Sequence, residues 1–286
     1  MSKLMRAGVC RYVRSPIWWI SVAASIALGV FFGDMIGSSD TFEVSAFLIL
    51  QIIFSILISL SVGREFSEGI IRNKLITGSK RWEIIFSESI LGITACCILY
   101  LIFSVSLWLL CITVLSRAPL DIALCFFFGS ALTTILSAVI SVILVFVFSR
   151  RTIVTVFSLL LVLIMSYVSD EIYLALERPE YTIKTEIVHN EKTGKNEVVF
   201  GEYGPNTRYI DGIKRKLYIL IDDIIPFGQM EEYCDIINVF IRMGDAPRTL
   251  DSEQKNALIL QPICSVSFSV LLIAFGYITF CRRDLK

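Results

Sequence analysis

The chain has 286 residues, 55% of them hydrophobic and 18% charged, and its 26 basic side chains balance 26 acidic ones. A soluble domain carries about 45–50% apolar and about 25% charged residues, so this composition, with a mean hydropathy of +0.73, excludes an ordinary soluble domain. Zero net charge removes the basic footprint that nucleic-acid binding needs and argues against a disordered acidic tail.

The charges fall outside six charge-free runs, at 15–33, 44–63, 89–116, 122–149, 152–169 and 256–281. A bilayer core of about 30 Å takes about 20 apolar residues as a helix. Six such runs predict an all-α polytopic membrane protein with six transmembrane helices, and the lipid bilayer as its first partner.

Ahead of the first run, residues 1–14 hold Lys3, Arg6, Arg11 and Arg14, with apolar Met5, Val9 and Val13 at i, i+4 spacing. That predicts an N-terminal helix lying in the cytoplasmic interface. Pro16, Ile17, Trp18 and Trp19 open the first span, the paired Trp suiting an interfacial belt. Five further spans and 19 charge-free residues favour a retained helix over a cleaved signal peptide. Gly29 and Gly33 form a Gly-x-x-x-Gly pair that permits close helix approach, within the chain or between two chains.

The loop after span two, 64–88, carries alternating charge. A short helix is predicted from about Glu65 to Ile76, broken at Gly78, with Ser79 as N-cap of the helix entering span three. Acids at 65 and 68 and bases at 72 and 74 suit the helix dipole. The loop reads either as a solvated, positively biased connection or as a partner-docking element.

Between spans five and six, residues 170–255 hold 17 acids and 11 bases. Thr182–Val188 and Asn196–Phe200 are β-prone and predict a hairpin across 190–195. Ile213–Ile225 and Met230–Ile241 are amphipathic helices separated by Pro226 and Gly228. This is read as a mixed α+β extracytoplasmic domain. Asp251 or Ser252 caps the sixth span, bent at Pro262, and 282–286 forms a tail.

Orientation follows the short loops. Fourteen Lys and Arg fall at 1–14, 64–88, 150–151 and 282–286, against Arg117 alone on the opposite side. Both termini are therefore predicted to be cytoplasmic. The 11 bases in 170–255 do not conflict, because long translocated segments escape the rule.

Several chemistries lack their residues. No Gly-x-x-x-x-Gly-Lys-Ser/Thr phosphate loop occurs, so ATP binding by that motif is not available to this chain. His189 is the one histidine, which excludes a His-Glu-x-x-His zinc site, and no acid lies in a charge-free run to serve as an intramembrane relay. Catalytic, cofactor and metal residues are accordingly assigned to none. Gln51, in span two, is a candidate pathway-lining residue or an interhelical hydrogen-bonding group. Of the eight cysteines only Cys234 lies in the outer segment, which leaves an intermolecular disulfide as its sole bridging option.

Glu65-Phe66-x-x-Gly69, Arg72-Asn73-Lys74-Leu75 and Gly78-x-x-Arg81, followed by a helix entering span three, resemble permease subunits of the ABC-2 type exporter family. The ending Arg282-Arg283-Asp284-Leu285-Lys286 and the turn Pro226-Phe227-Gly228-Gln229 are similar to family features, and the six-span plan covers nearly the whole chain. The resemblance implies a non-catalytic permease, paired as a homodimer or heterodimer in a bacterial cell membrane and coupled to a separate ABC ATPase subunit that holds ATP and Mg. It implies that Arg64, Glu65, Phe66, Glu68, Gly69, Ile70, Arg72, Asn73, Lys74 and Leu75 form the ATPase-coupling element. Glu65, Glu68, Arg72 and Lys74 would give ion pairs while Phe66, Ile70 and Leu75 pack. An amphipathic peptide, drug or lipid-like cargo is expected from the charge-free spans. The alternative is a membrane-anchored receptor or immunity protein whose outer domain binds a ligand; a membrane enzyme ranks third, for want of catalytic groups.

Overall fold

A computed structural model describes residues 2–148, 150–190, 195–243 and 252–282. The chain runs through α1 (Ser2–Arg14), α2 (Pro16–Ser39), α3 (Ser45–Ser67), α4 (Ile70–Ile76), α5 (Arg81–Leu115), α6 (Leu120–Phe148) and α7 (Arg151–Leu176). A strand pair follows, β1 (Tyr181–Asn190) and β2 (Lys195–Pro205), then α8 (Gly212–Ile224), α9 (Pro226–Met243) and α10 (Ser252–Cys281). Helices α2, α3, α5, α6, α7 and α10 are long and apolar enough to cross a membrane, as the six charge-free runs predict. The hairpin turn at 191–194, the capping candidate Asp251 and the tail at 283–286 lie outside the described residues, as does the side chain of His189.

Three pairings organise the bundle: α2 on α5, α6 on α10, and α3 on α7. Gly29 and Gly33 serve the first of these, since a Cβ on Gly29 would strike Phe103 and Ser106 of α5 and one on Gly33 would strike Leu107 and Leu110. Their spacing is thus spent within the chain. The core is filled by wholly buried Leu57, Ile58, Leu99 and Val142, with Phe54 and Phe103 beside them.

On α6 the core face is small and polar: Gly129, Ser130, Thr133, Thr134, Ser137 and Ser141 are all buried. The Ser and Thr hydroxyls donate to carbonyls three or four residues back, at 2.6–3.0 Å. Their polarity is thereby satisfied inside the helix, which leaves a shallow groove that another helix can enter closely.

Helix α9 occupies that groove. Its Phe227, Met230, Tyr233, Cys234 and Ile237 are buried, and the Tyr233 ring lies where a Cβ on Gly129 would have to sit. The segment expected to form the outer domain packs in part on the bundle. Helix α7 continues beyond its charge-free run through Asp170 and Glu171 to Leu176, and α8 descends beside it before α9 returns along α6. The tip, Pro226 and Phe227, meets Leu161 and Met165 of α7, Ser137 and Ser141 of α6, and Gln51 of α3. Counted from Leu176 to Leu161, the hairpin penetrates about 22 Å along α7 at 1.5 Å per residue. Pro226 begins α9, where its missing N–H costs nothing, and Gly228 lies inside α9 rather than in a separating turn. A side chain there would collide with Asp222 of α8. Burial of Cys234 also removes the thiol from any intermolecular bridge.

No residue of helix α8 is buried, and Lys214 and Lys216 are exposed like its apolar side chains. Ile213, Leu217 and Leu220 are exposed, while Asp222 and Asp223 face a cavity shared with α7, α9 and α10. The strands pair antiparallel from Tyr181–Pro205 to Asn190–Lys195, with an irregularity between Ile183 and Thr185. Asn206 closes their base, its backbone N–H and Nδ2 donating to the carbonyls of Glu180 and Pro179. Helix α10 runs through Pro262 as one element.

Candidate functional site

One end of the bundle gathers α1, the α3–α4–α5 elbow and the last turn of α10. Helix α3 extends past its charge-free run to Ser67, and Gly69, at φ +71°, turns the backbone left-handed. A Cβ in that conformation costs about 1–2 kcal/mol, so glycine fixes the corner. Helix α4 then lasts seven residues to Ile76, and Gly78, at φ +91°, ends the elbow. The single helix expected from Glu65 to Ile76 is therefore two helices with a corner at Gly69. The cap of α5 also differs: Lys80 is the N-cap, its backbone N–H donating to Glu83 Oε2 at 3.1 Å, in place of Ser79.

The corner brings together charges that sequence spacing keeps apart. Lys74 Nζ lies 2.5 Å from Glu65 Oε2 and 2.6 Å from Glu88 Oε1. Arg11 of α1 adds an ion pair to Glu65 Oε1 at 2.5 Å. Two cations and two carboxylates thus form a neutral knot joining α1, α3, α4 and α5. Glu65 and Lys74 are buried, and Glu88 is only 1% exposed. Taking charges out of water is costly unless each has a partner; here each member has an opposite charge beside it, with Glu88 Oε2 left without a hydrogen-bond partner. Tyr12 packs beside it, edge-on to Trp18 at 6.4 Å. Burial, with Glu88 and Glu65 nearby, pushes the Tyr12 hydroxyl well above its usual range. It stays neutral.

The packed face of α1 is Gly8 and Tyr12, with Gly8 against Leu91 of α5. Val9 and Val13 of the expected stripe are exposed.

Phe66 anchors the corner from the opposite side, its ring 5.4 Å from Phe146 of α6 and 6.2 Å from Phe280 of α10, both edge-on. Arg81 reaches over the Phe280 ring and donates to the carbonyls of Phe280 and Cys281 at 2.6 and 3.1 Å. A guanidinium there completes the orphan acceptors at a helix C-terminus.

The ten sequence-derived residues therefore divide. Glu65 and Lys74 are spent inside the chain; Phe66, Ile70 and Leu75 are half-buried; Gly69 shapes the corner. Arg64 and Glu68 pair with each other in the exposed surface at 2.5 Å. Arg72 and Asn73 are exposed, joined by Ile76, which is 72% exposed. Sequence reasoning missed Arg11, Ile71 and Glu88 as members of this assembly, and Ile76 as part of its outer surface. Gln51 is buried and meets the α9 tip around a space of about 10 Å³, room for about one water.

Compared with protein-family models and with curated proteins, the chain matches none. Among the described residues no group of three or more His, Cys, Asp or Glu is placed to hold a metal ion.

Proposed function

We propose that the chain is the permease subunit of an ATP-driven exporter of the ABC-2 type, with both termini on the cytoplasmic side of a bacterial cell membrane. Two permeases, identical or different, pair with a separate ATPase subunit that binds ATP and Mg, and the chain itself is not catalytic. The observation that carries this reading is the elbow. A seven-residue helix presents Arg72, Asn73 and Ile76 outward while its inward face is bolted by Lys74 and Ile71 to α3 and α5.

An exposed isoleucine on a charged, rigidly seated helix suits a docking contact better than a solvated connection, which needs neither rigidity nor an apolar tip. Movement of a docked ATPase would reach α3, α5 and α10 through groups that stay fixed to one another. Residues 170–255 belong to the permease as a strand pair and a re-entrant hairpin. The cargo is an amphipathic peptide, drug or lipid-like compound.

The test is recovery of partners from native membranes by the tagged chain and by an Arg72→Glu, Ile76→Asp variant. Both substitutions lie on the exposed surface and leave the ionic knot intact. Stoichiometric capture of a nucleotide-binding protein by the parent and its loss in the variant is the expected outcome. If neither captures an ATPase, the receptor or immunity reading takes its place.

A further inference from the structure

Beside the ionic knot, the last turn of α1, the starts of α2 and α7 and the end of α3 enclose a cavity of about 270 Å³. Its polar wall carries four arginines, Arg11, Arg14, Arg64 and Arg151, against two carboxylates, Glu65 and Glu68. Arg11 is spent on Glu65 and Arg64 on Glu68. Arg14 and Arg151 are exposed, and among the described residues neither is in an ion pair. The cavity therefore keeps a surplus of positive charge that the chain itself does not answer.

The backbone adds to that surplus. Helix α2 opens on the cavity through Ser15, Pro16 and Ile17, and α7 through Arg151. Neither helix has an acid in its first turn, and neither N-cap, Ser15 or Arg150, makes a side-chain capping bond. A helix start is the positive end of the backbone dipole, and its first N–H groups have no acceptor within the helix. Here two such starts lie on the wall that the arginines line, so side chains and backbone favour the same sign of ligand. Gly63 of α3 makes the juxtaposition possible, because a Cβ there would lie 3.3 Å from the Arg151 Cα.

Depth narrows the kind of anion. Charge-free runs begin at 15 and 152 and end at 63, so the cavity lies where three spans pass from apolar to charged sequence, at the level of lipid headgroups. The rest of its wall is apolar, with Pro16, Ile17, Leu60 and Ile70. The helices that open it continue as exposed hydrocarbon, through Trp19 and Ile20 on α2 and Ile153, Val156 and Phe157 on α7. A soluble anion makes no use of that surface, whereas a lipid covers it with acyl chains.

We propose that this cavity binds the phosphate headgroup of an anionic phospholipid. Guanidinium groups take phosphate oxygens in pairs with fixed geometry, and a basic pocket between membrane helices has the chemistry that lipid headgroups require. A volume of about 270 Å³ falls just under the roughly 300–1,000 Å³ of sites that enclose a whole small molecule, as fits a headgroup whose chains stay outside. Arg11 belongs to both the cavity and the knot, so the lipid sits against the fixed corner of the elbow. The inference rests on the chain crossing a membrane and holds whether or not α4 docks an ATPase.

The test uses the purified full chain in an uncharged detergent, titrated with phosphatidylglycerol and with phosphatidylcholine brominated at the same acyl carbons. Quenching of tryptophan fluorescence is the readout, since Trp18 and Trp19 directly follow Ile17 of the cavity. Saturable quenching by phosphatidylglycerol, at least ~10-fold tighter than by phosphatidylcholine, is expected. Arg14→Gln with Arg151→Gln should reduce that preference to ~3-fold or less. Arg6→Gln with Arg282→Gln, which removes as much charge from exposed positions outside the cavity, should preserve it. Glycerol phosphate and inorganic phosphate, supplied at the lipid's concentration, should not displace the lipid. Equal quenching by the two lipids, equal loss of preference in the two double variants, or displacement by a soluble phosphate overturns the proposal. Should the first double variant not fold, Arg14→Gln alone, at an exposed position outside the knot, decides it by the same loss of preference.

Discussion

The two ends of the bundle bury polar charge under opposite rules. At the elbow, Arg11 and Lys74 meet Glu65 and Glu88, and the books of charge close within the chain. Around the hairpin, Glu177, Asp222, Asp223, Glu232 and Asp235 share a cavity with one arginine that is engaged with a carbonyl and a ring. A neutral knot fastens elements to one another, because removing any member strands its partner in low dielectric. An unbalanced cluster fastens nothing, and its electrostatic energy falls when a proton or a cation enters. The first end is fixed by its own ion pairs; at the second, no ion pair among the described residues holds the five lining carboxylates.

The sharpest test of that contrast is a pair of substitutions. Lys74→Met should destabilise the folded chain by about 3–5 kcal/mol by leaving Glu65 and Glu88 facing each other, whereas Glu231→Gln, which replaces a carboxyl held protonated at neutral pH by an amide of the same shape, should be neutral or stabilising. Denaturation of both variants in the same detergent reads the difference, and equal losses would erase the distinction.

Acidity offers a second handle. Asp222, Glu232 and Glu231 have folded-state values of about 7, 7 and 9, above the roughly 3.9 to 4.3 of unfolded carboxyls. The folded chain therefore binds more protons than the unfolded chain between about pH 5 and 9, and stability rises as pH falls through that window. Thermal midpoints should increase from pH 8 to pH 5.5 in the parent, and the slope should flatten in a variant combining Asp222→Asn with Glu231→Gln.

Smaller effects belong to the elbow's shape and rim. Gly69→Ala, forced to keep φ +71°, should cost about 1–2 kcal/mol, visible as a lower denaturation midpoint. Arg64→Ala removes an exposed i, i+4 pair with Glu68 and should change stability by no more than ~0.5 kcal/mol. A loss as large as that of Lys74→Met would mean that the outer pair, too, belongs to the knot.

The six long apolar helices were legible because an unpaired charge inside a span is penalised strongly enough to leave a trace in the sequence. Strands and helices in 170–255 were legible by their periods. What those periods did not carry was direction. Ile213, Leu217 and Leu220 recur at helical spacing whether or not they are covered, so the spacing did not reveal that α9 packs in the α6 groove while α8 stays exposed. The polar stripe from Ser130 to Ser141 was the available hint that another helix enters there.

At the elbow, Gly69 marked the corner, yet its position among acidic and basic residues suited a continuous helix equally well. Glu88 read as the last charge before a span, and Arg11 as one of four bases on an interfacial helix. Their convergence on Glu65 and Lys74 depends on how α1 and α5 lie against α3, which no local spacing encodes.

Helix α10 touches both regimes. Its Phe280 carbonyl is held by Arg81 beside the Phe66 ring, and its Gln261 is bonded to Glu232 at the acidic cavity. Nineteen residues separate these points, about 28 Å of helix, interrupted in its hydrogen-bond ladder by Pro262 one residue from the cavity end. One continuous helix thus belongs to both ends, so the fixed corner and the acidic cavity share a single element of the bundle.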